Sequence, residues 1–154
     1  MDPCNLYTWN PLALPFLNGF EAEEIGTPPG HTDLYSEFNY DVSLVPGELR
    51  LKDRVSFDAD FLVLGTIVWS DQPAGEIIWN ARFRGIDGDA IQNTRIAGNL
   101  LGGSRGNPKP WIHPEWVPLG KTIGIEIGLP GAAVTSPVRV QITFCGLRRW
   151  KVRG

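Results

Sequence analysis

From Thr122 to Leu147 the chain carries two runs in which apolar and polar residues alternate, Thr122 to Leu129 and Val138 to Leu147, separated by a Gly, Pro and Ser-rich stretch. A period of two sends every second side chain to the same face of a strand. Ile123, Ile125, Ile127 and Leu129 therefore share a face, as do Val138, Val140, Ile142 and Phe144, opposite Arg139, Gln141 and Thr143. The pattern predicts a hairpin with one core side and one wet side. Phe61 to Trp69 is apolar almost without interruption, which is how a largely buried strand reads, and Gly65 within it predicts a bulge or a close backbone approach. Glu76 to Arg84 alternates again, with Ile77, Trp79, Ala81 and Phe83 on one side and Asn80, Arg82 and Arg84 on the other.

Shorter signals fill the rest. Leu49 to Leu51 and Arg54 to Phe57 read as two strand pieces around a kink. Leu34 to Val45 reads as one edge strand before a Pro46-Gly47 turn, and Ala90 to Leu101 as a short strand or a single helical turn. Gly98 to Asn107 has the composition of a loop. Pro108, Pro110, Trp111, Pro114, Trp116 and Pro118 form a lead-in that cannot donate a regular ladder, so it reads as a rigid extended approach ending in a Leu119-Gly120 turn. Six to eight short strands at this turn spacing predict an all-β chain, a jelly-roll-like antiparallel β-sandwich over residues 47–154.

Residues 1–46 have a different texture. Leu6, Tyr7, Trp9, Leu12, Leu14, Phe16, Leu17 and Phe20 are densely apolar, while Pro3, Pro11 and Pro15 interrupt any helix and deny donors to a central strand. An extended N-terminal arm fits, and its apolar residues need a surface, either their own domain or a neighbouring subunit.

Composition narrows the class further. A chain of 154 residues holds one good core, and six Trp, seven Phe, 18 Gly and 13 Pro favour short strands and turns. A net charge of −3 disfavours a nucleic-acid partner. Acids crowd residues 1–50 (Asp2, Glu21, Glu23, Glu24, Asp33, Glu37, Asp41 and Glu48 against Arg50), and bases crowd residues 105–154. That asymmetry fits two separately solvated faces or an acidic front that pairs with a basic back. Cys4 and Cys145 are expected as reduced, buried side chains. No leader-like segment opens the chain and no apolar run reaches membrane-spanning length, so synthesis in a cytoplasm and no membrane partner are expected.

The residues that could carry chemistry fit ordinary structure. His31 and His113 have no ligand spacing, and Gly102 to Gly106 lacks the Lys-Ser/Thr of a phosphate cradle. Asp87-Gly88-Asp89 reads as a turn before it reads as a calcium loop, and Asp58 and Asp60 as surface acids before a glycosidase pair. Trp111 and Trp116, with Trp69 and Trp79, could form a sugar-binding platform, although packing accounts for them more simply. No catalysis, metal or cofactor is expected.

The C-terminal stretch does resemble a known group. Val117-Pro118-Leu119-Gly120 after a Pro-rich aromatic lead, then two alternations ending in Phe144-Cys145-Gly146-Leu147-Arg148, looks like the ending of small virion structural proteins of tailed bacteriophages. Ser56-Phe57-Asp58-Ala59-Asp60-Phe61 with Gly65 is similar to a strand opening in the same proteins. The likeness covers about residues 50–150. It implies a non-enzymatic capsid decoration or cement protein in the virion that binds the major capsid protein and its own copies as a homo-oligomer; a neck or tail position and a carbohydrate-binding module are the alternatives. On this reading Tyr7, Trp9, Leu14, Phe16, Phe20, Trp111, Trp116, Arg148 and Arg149 serve the partner or oligomer interface. Glu21, Glu23 and Glu24 would meet Arg148, Arg149, Lys151 and Arg153 of a neighbour.

Overall fold

Strand pairing in this protein is nested, first with last. The computed structural model describes residues 31–72, 78–104, 108–131 and 134–151. Among these, the strands are β1 (His31–Leu44), β2 (Leu49–Ser56), β3 (Asp60–Ser70), β4 (Asn80–Arg84), β5 (Ile96–Ala97), β6 (Lys109–Val117), β7 (Thr122–Gly128) and β8 (Val138–Lys151), with one helical turn, α1 (Gly98–Leu101), after β5. They form two four-stranded antiparallel sheets in the orders β1-β8-β3-β6 and β2-β7-β4-β5. Each of β1·β8, β2·β7, β3·β6 and β4·β5 is a pair, which is the order of a jelly roll. The all-β sandwich expected from the alternation is the fold.

One expectation is corrected by this order. β7 and β8 are not a hairpin, because β7 lies between β2 and β4 in one sheet and β8 between β1 and β3 in the other. Alternation specifies which face of a strand is buried and is silent about its neighbour. The connection from Leu129 to Pro137 is long, carries Pro130 and Pro137, and crosses from sheet to sheet. The inner faces of the two strands then look at each other across the core, with Ile123, Ile125, Ile127, Val138, Val140, Ile142 and Phe144 all buried.

The Pro-rich lead-in is corrected too. Lys109–Val117 is β6, an edge strand on β3, the position where a missing N–H does least harm. Its ladder is interrupted where Trp111 to Pro114 stand opposite the single residue Leu64. That bulge turns Trp111 inward onto Phe83, with ring centroids 5.6 Å apart, and its Nε1 donates to Thr66 Oγ1 at 3.3 Å. Phe57 stacks on Phe61 at 4.7 Å, and Phe38 meets both rings edge-on, completing an aromatic core between the sheets.

Several local predictions hold. The edge strand expected over 34–45 runs from His31 to Leu44 and pairs along its whole length with β8. The kink in β2 is a register shift between Arg50 and Asp53, and the irregularity expected near Gly65 is a shift between Val63 and Gly65 in both of β3's pairings. The segment 90–101 supplies both β5 and α1. Pro46-Gly47 and Leu119-Gly120 are tight turns closed by Glu48 N to Val45 O at 3.0 Å and Lys121 N to Pro118 O at 2.9 Å, with positive φ at each glycine as the third turn position demands. Of the strand expected over 76–84, Glu76 and Ile77 lie outside the described residues, and pairing begins at Asn80.

Candidate functional site

The outward side chains of the β2-β7-β4-β5 sheet come from alternate positions whose partners fill the core. In β4, Ala81 and Phe83 are buried while Arg82 and Arg84 point away; in β7, Ile123, Ile125 and Ile127 are buried while Gly124 and Gly128 lie opposite Arg54 and Leu49 of β2. Without side chains of their own, Gly124 and Gly128 floor two shallow depressions. Leu51, Lys52, Arg54, Arg84 and Ile86 line the first; Leu49, Asn80 and Arg95 line the second. Leu49 and Leu51 are each 49% exposed, so methyl groups and guanidinium groups stand side by side in water.

Glu126 anchors this surface. Its carboxylate accepts from Arg82 Nε and lies 3.4 Å from an Arg84 nitrogen, and those contacts, Arg82's hydrogen bond foremost, hold its pKa below the usual carboxylate range. Two guanidinium groups shared by one carboxylate leave the cluster net positive. Arg82 also donates to Asn93 O and Arg84 to Gly88 O, while Arg95 Nε donates to Asn80 Oδ1 at 2.9 Å. Arg82, Arg84 and Arg95 are thus held by their strands and by these hydrogen bonds, and the surface presents positive charge beside exposed aliphatic groups.

The residues expected at an interface divide. Tyr7, Trp9, Leu14, Phe16 and Phe20 lie outside the described residues. Trp111 is a core residue, 9% exposed, because the bulge in β6 rotates it inward. Trp116 and Arg149 do come together, the guanidinium carbon 4.3 Å from the ring centroid, at one end of the outer face of the β1-β8-β3-β6 sheet. Arg148 belongs to a different place: opposite Phe61 in the ladder, it bonds Asp58 at 2.9 Å. The alternative of a four-tryptophan platform is not assembled, since Trp79 and Trp111 pack in the core and only Trp69 of the four, at 48%, is well exposed.

At Asp41 the acidic front pairs with the basic back, whereas Glu48 bonds Arg50, and Asp2, Glu21, Glu23 and Glu24 lie outside the described residues. Because β1 lies antiparallel on β8, Asp41 accepts from Arg139 at 2.7 Å and Gln141 at 3.0 Å, which lowers its pKa to about 2. Asp87 and Asp89 are turn residues, with Asp87 Oδ1 accepting from Asp89 N, and Asp60 accepts from Leu119 N. No group of His, Cys, Asp and Glu among the described residues has metal-binding spacing. Cys145 is buried; Cys4 and any pairing between them lie outside the described residues.

Sequence reasoning missed the arginine-lined sheet face. The signal was present in Arg82 and Arg84 at alternate positions, but nothing local says that Gly124, Gly128, Arg54 and Leu51 lie beside them. No protein-family model matches the chain, and no curated protein matches it.

Proposed function

We propose that this chain is a non-enzymatic structural protein of a virion, a decoration or cement protein that binds capsid subunits and its own copies. The observation that carries the reading is the outer face of the β2-β7-β4-β5 sheet, where Lys52, Arg54 and Arg84, with Asp53, line one depression beside exposed Leu51 and Ile86, and exposed Leu49 lines a second with Arg95. Arginine beside exposed aliphatic surface is the composition of a protein interface. An acidic capsid surface is its natural complement: the charges steer and orient the encounter, and the leucines supply the burial that holds it. A jelly roll is common to capsid and lectin domains, so the fold is compatible with this reading and does not select it.

The test is co-sedimentation with purified particles. Wild-type protein should pellet with capsids, and the double variant Leu51→Asp/Arg54→Glu should stay in the supernatant while keeping the wild-type melting curve. Binding by the double variant as tight as wild type would remove this face from the interface. Retention on immobilised polysaccharide in place of capsids would favour the carbohydrate-binding alternative.

A further inference from the structure

Residues paired across neighbouring strands project to the same side of a sheet, so one rung read across three strands is one row of side chains. In the β1-β8-β3-β6 sheet, Val140 and Ile142 belong to the core between the sheets, which turns Gln141 outward with its ladder partners Asp41 of β1 and Trp69 of β3. The spacing of strands puts Asp41 and Trp69 about 10 Å apart, with Gln141 between them. Arg139 projects from the same face of β8, and its guanidinium lies over the Trp69 ring, 5.9 Å from the centroid. Trp69 is nonetheless 48% exposed. An indole therefore stands in water at the end of a row of planar polar groups.

Those polar groups are fixed by one another. Arg139 Nε and Nη2 donate to the Asp41 carboxylate at 3.1 and 2.7 Å, and Gln141 Nε2 donates to it at 3.0 Å. The backbone of Arg139 is tied to Asp71, donating to its Oδ1 at 3.1 Å and accepting from its N at 3.2 Å. On the next rung Thr143 Oγ1 donates to Asn39 Oδ1 at 2.6 Å. These bonds use only part of each group's capacity. Among the described residues, Gln141 keeps its carbonyl oxygen and second amide proton, Asn39 keeps its amide protons, and Arg139 keeps further N–H donors.

The chemistry left over selects among ligand classes. An anion would meet two carboxylates, Asp41 and Asp71, against the single guanidinium of Arg139. A cation would find Asp41 and Asp71 already bonded and the indole already carrying a guanidinium. A wholly apolar ligand would strip water from donors and acceptors it could not satisfy. A neutral sugar ring fits what remains: its C–H face stacks on an indole, and its rim hydroxyls donate to and accept from planar amide and guanidinium groups. We propose that the outer face of the β1-β8-β3-β6 sheet at Trp69 binds a neutral saccharide, with Trp69 as the stacking platform and Gln141, Arg139 and Asn39 as partners for its hydroxyls. Asp41 is the positioning residue that holds Arg139 and Gln141 in place. The site is on the opposite sheet from the arginine-lined face, so it stands independently of the virion reading.

Isothermal titration of the full chain with cellohexaose, maltohexaose, laminarihexaose and mannohexaose tests it. At least one should bind with a Kd of about 1 mM or tighter. Trp69→Ala should weaken that binding by about tenfold or more, and Gln141→Ala severalfold, both with the wild-type melting curve. In proton–nitrogen correlation spectra the indole signal missing from Trp69→Phe identifies Trp69, and in wild type that signal should move as the bound saccharide is added. Binding to none of the four saccharides, or undiminished binding by Trp69→Ala, overturns the proposal. So does a Trp69 signal that moves with tetralysine and not with the saccharides, which would make the site one for a basic peptide. The Leu51→Asp/Arg54→Glu variant should bind the saccharide as wild type does; loss of binding there would place the sugar on the other sheet and overturn the assignment to Trp69.

Discussion

Single residues show how tightly the two sheets are registered. A Cβ placed on Gly146 would sit 1.8 Å from the carbonyl oxygen of Leu62, so β8 can follow the bulge in β3 only with glycine there. Gly146→Ala should lower stability by about 1 to 3 kcal/mol, read from chemical denaturation, because backbone rather than a movable side chain must yield. Tyr40 of β1 reaches across the core rim to donate to Asp53 of β2, brought inward by the β2 bulge, and burial together with that contact raises the phenol's pKa. Tyr40→Phe should cost about 1 to 2 kcal/mol in the same measurement, since it leaves a part-buried carboxylate short of a donor.

At the level of elements, the cross-strand ion pairs give the sheets a pH dependence whose sign can be worked out. Glu126 on β7 is held below its ordinary pKa by Arg82 of β4, and Asp41 on β1 is lowered to about 2 by Arg139 of β8. A depressed carboxylate pKa contributes stability that is present above the unfolded value, roughly 4 for these groups, and is lost as pH falls through the folded value. Melting temperature should therefore decline between about pH 5 and pH 2, and Glu126→Gln should flatten the upper part of that decline while lowering the neutral-pH melting point. A Glu126→Gln curve parallel to wild type would detach this pair from acid stability. The Pro-rich β6 belongs to the same scale: prolines that exclude a central strand are accommodated at an edge, and the bulge they accompany is what delivers Trp111 to the core.

For the molecule as a whole, the decisive feature is that β8, last in sequence, is central in its sheet, with β1 and β3 on either side. The sandwich cannot close until the C-terminal strand arrives, and pairings this distant in sequence fold slowly because loop entropy is lost before contacts form. Ending the chain before Val138 should abolish the cooperative unfolding transition, measured by circular dichroism in denaturant. A sharp transition in that truncated protein would mean that the β2-β7-β4-β5 sheet is stable by itself.

The class of the fold, the buried face of each strand and most of its turns were legible in the chain itself. Alternation at Thr122 to Leu129 and Val138 to Leu147, and glycines at 47 and 120, act through local geometry that neighbouring residues alone determine. The nearly continuous apolar run at 61–69 even carried the information that β3 is buried on both faces from Phe61 to Ile67. Which strands are neighbours, that Trp111 turns inward while Trp116 does not, and that Arg54, Arg84 and Leu51 share one glycine-floored surface were decided only by the tertiary structure. Those relations join residues far apart in sequence, and a period of two contains no term for the partner across the ladder.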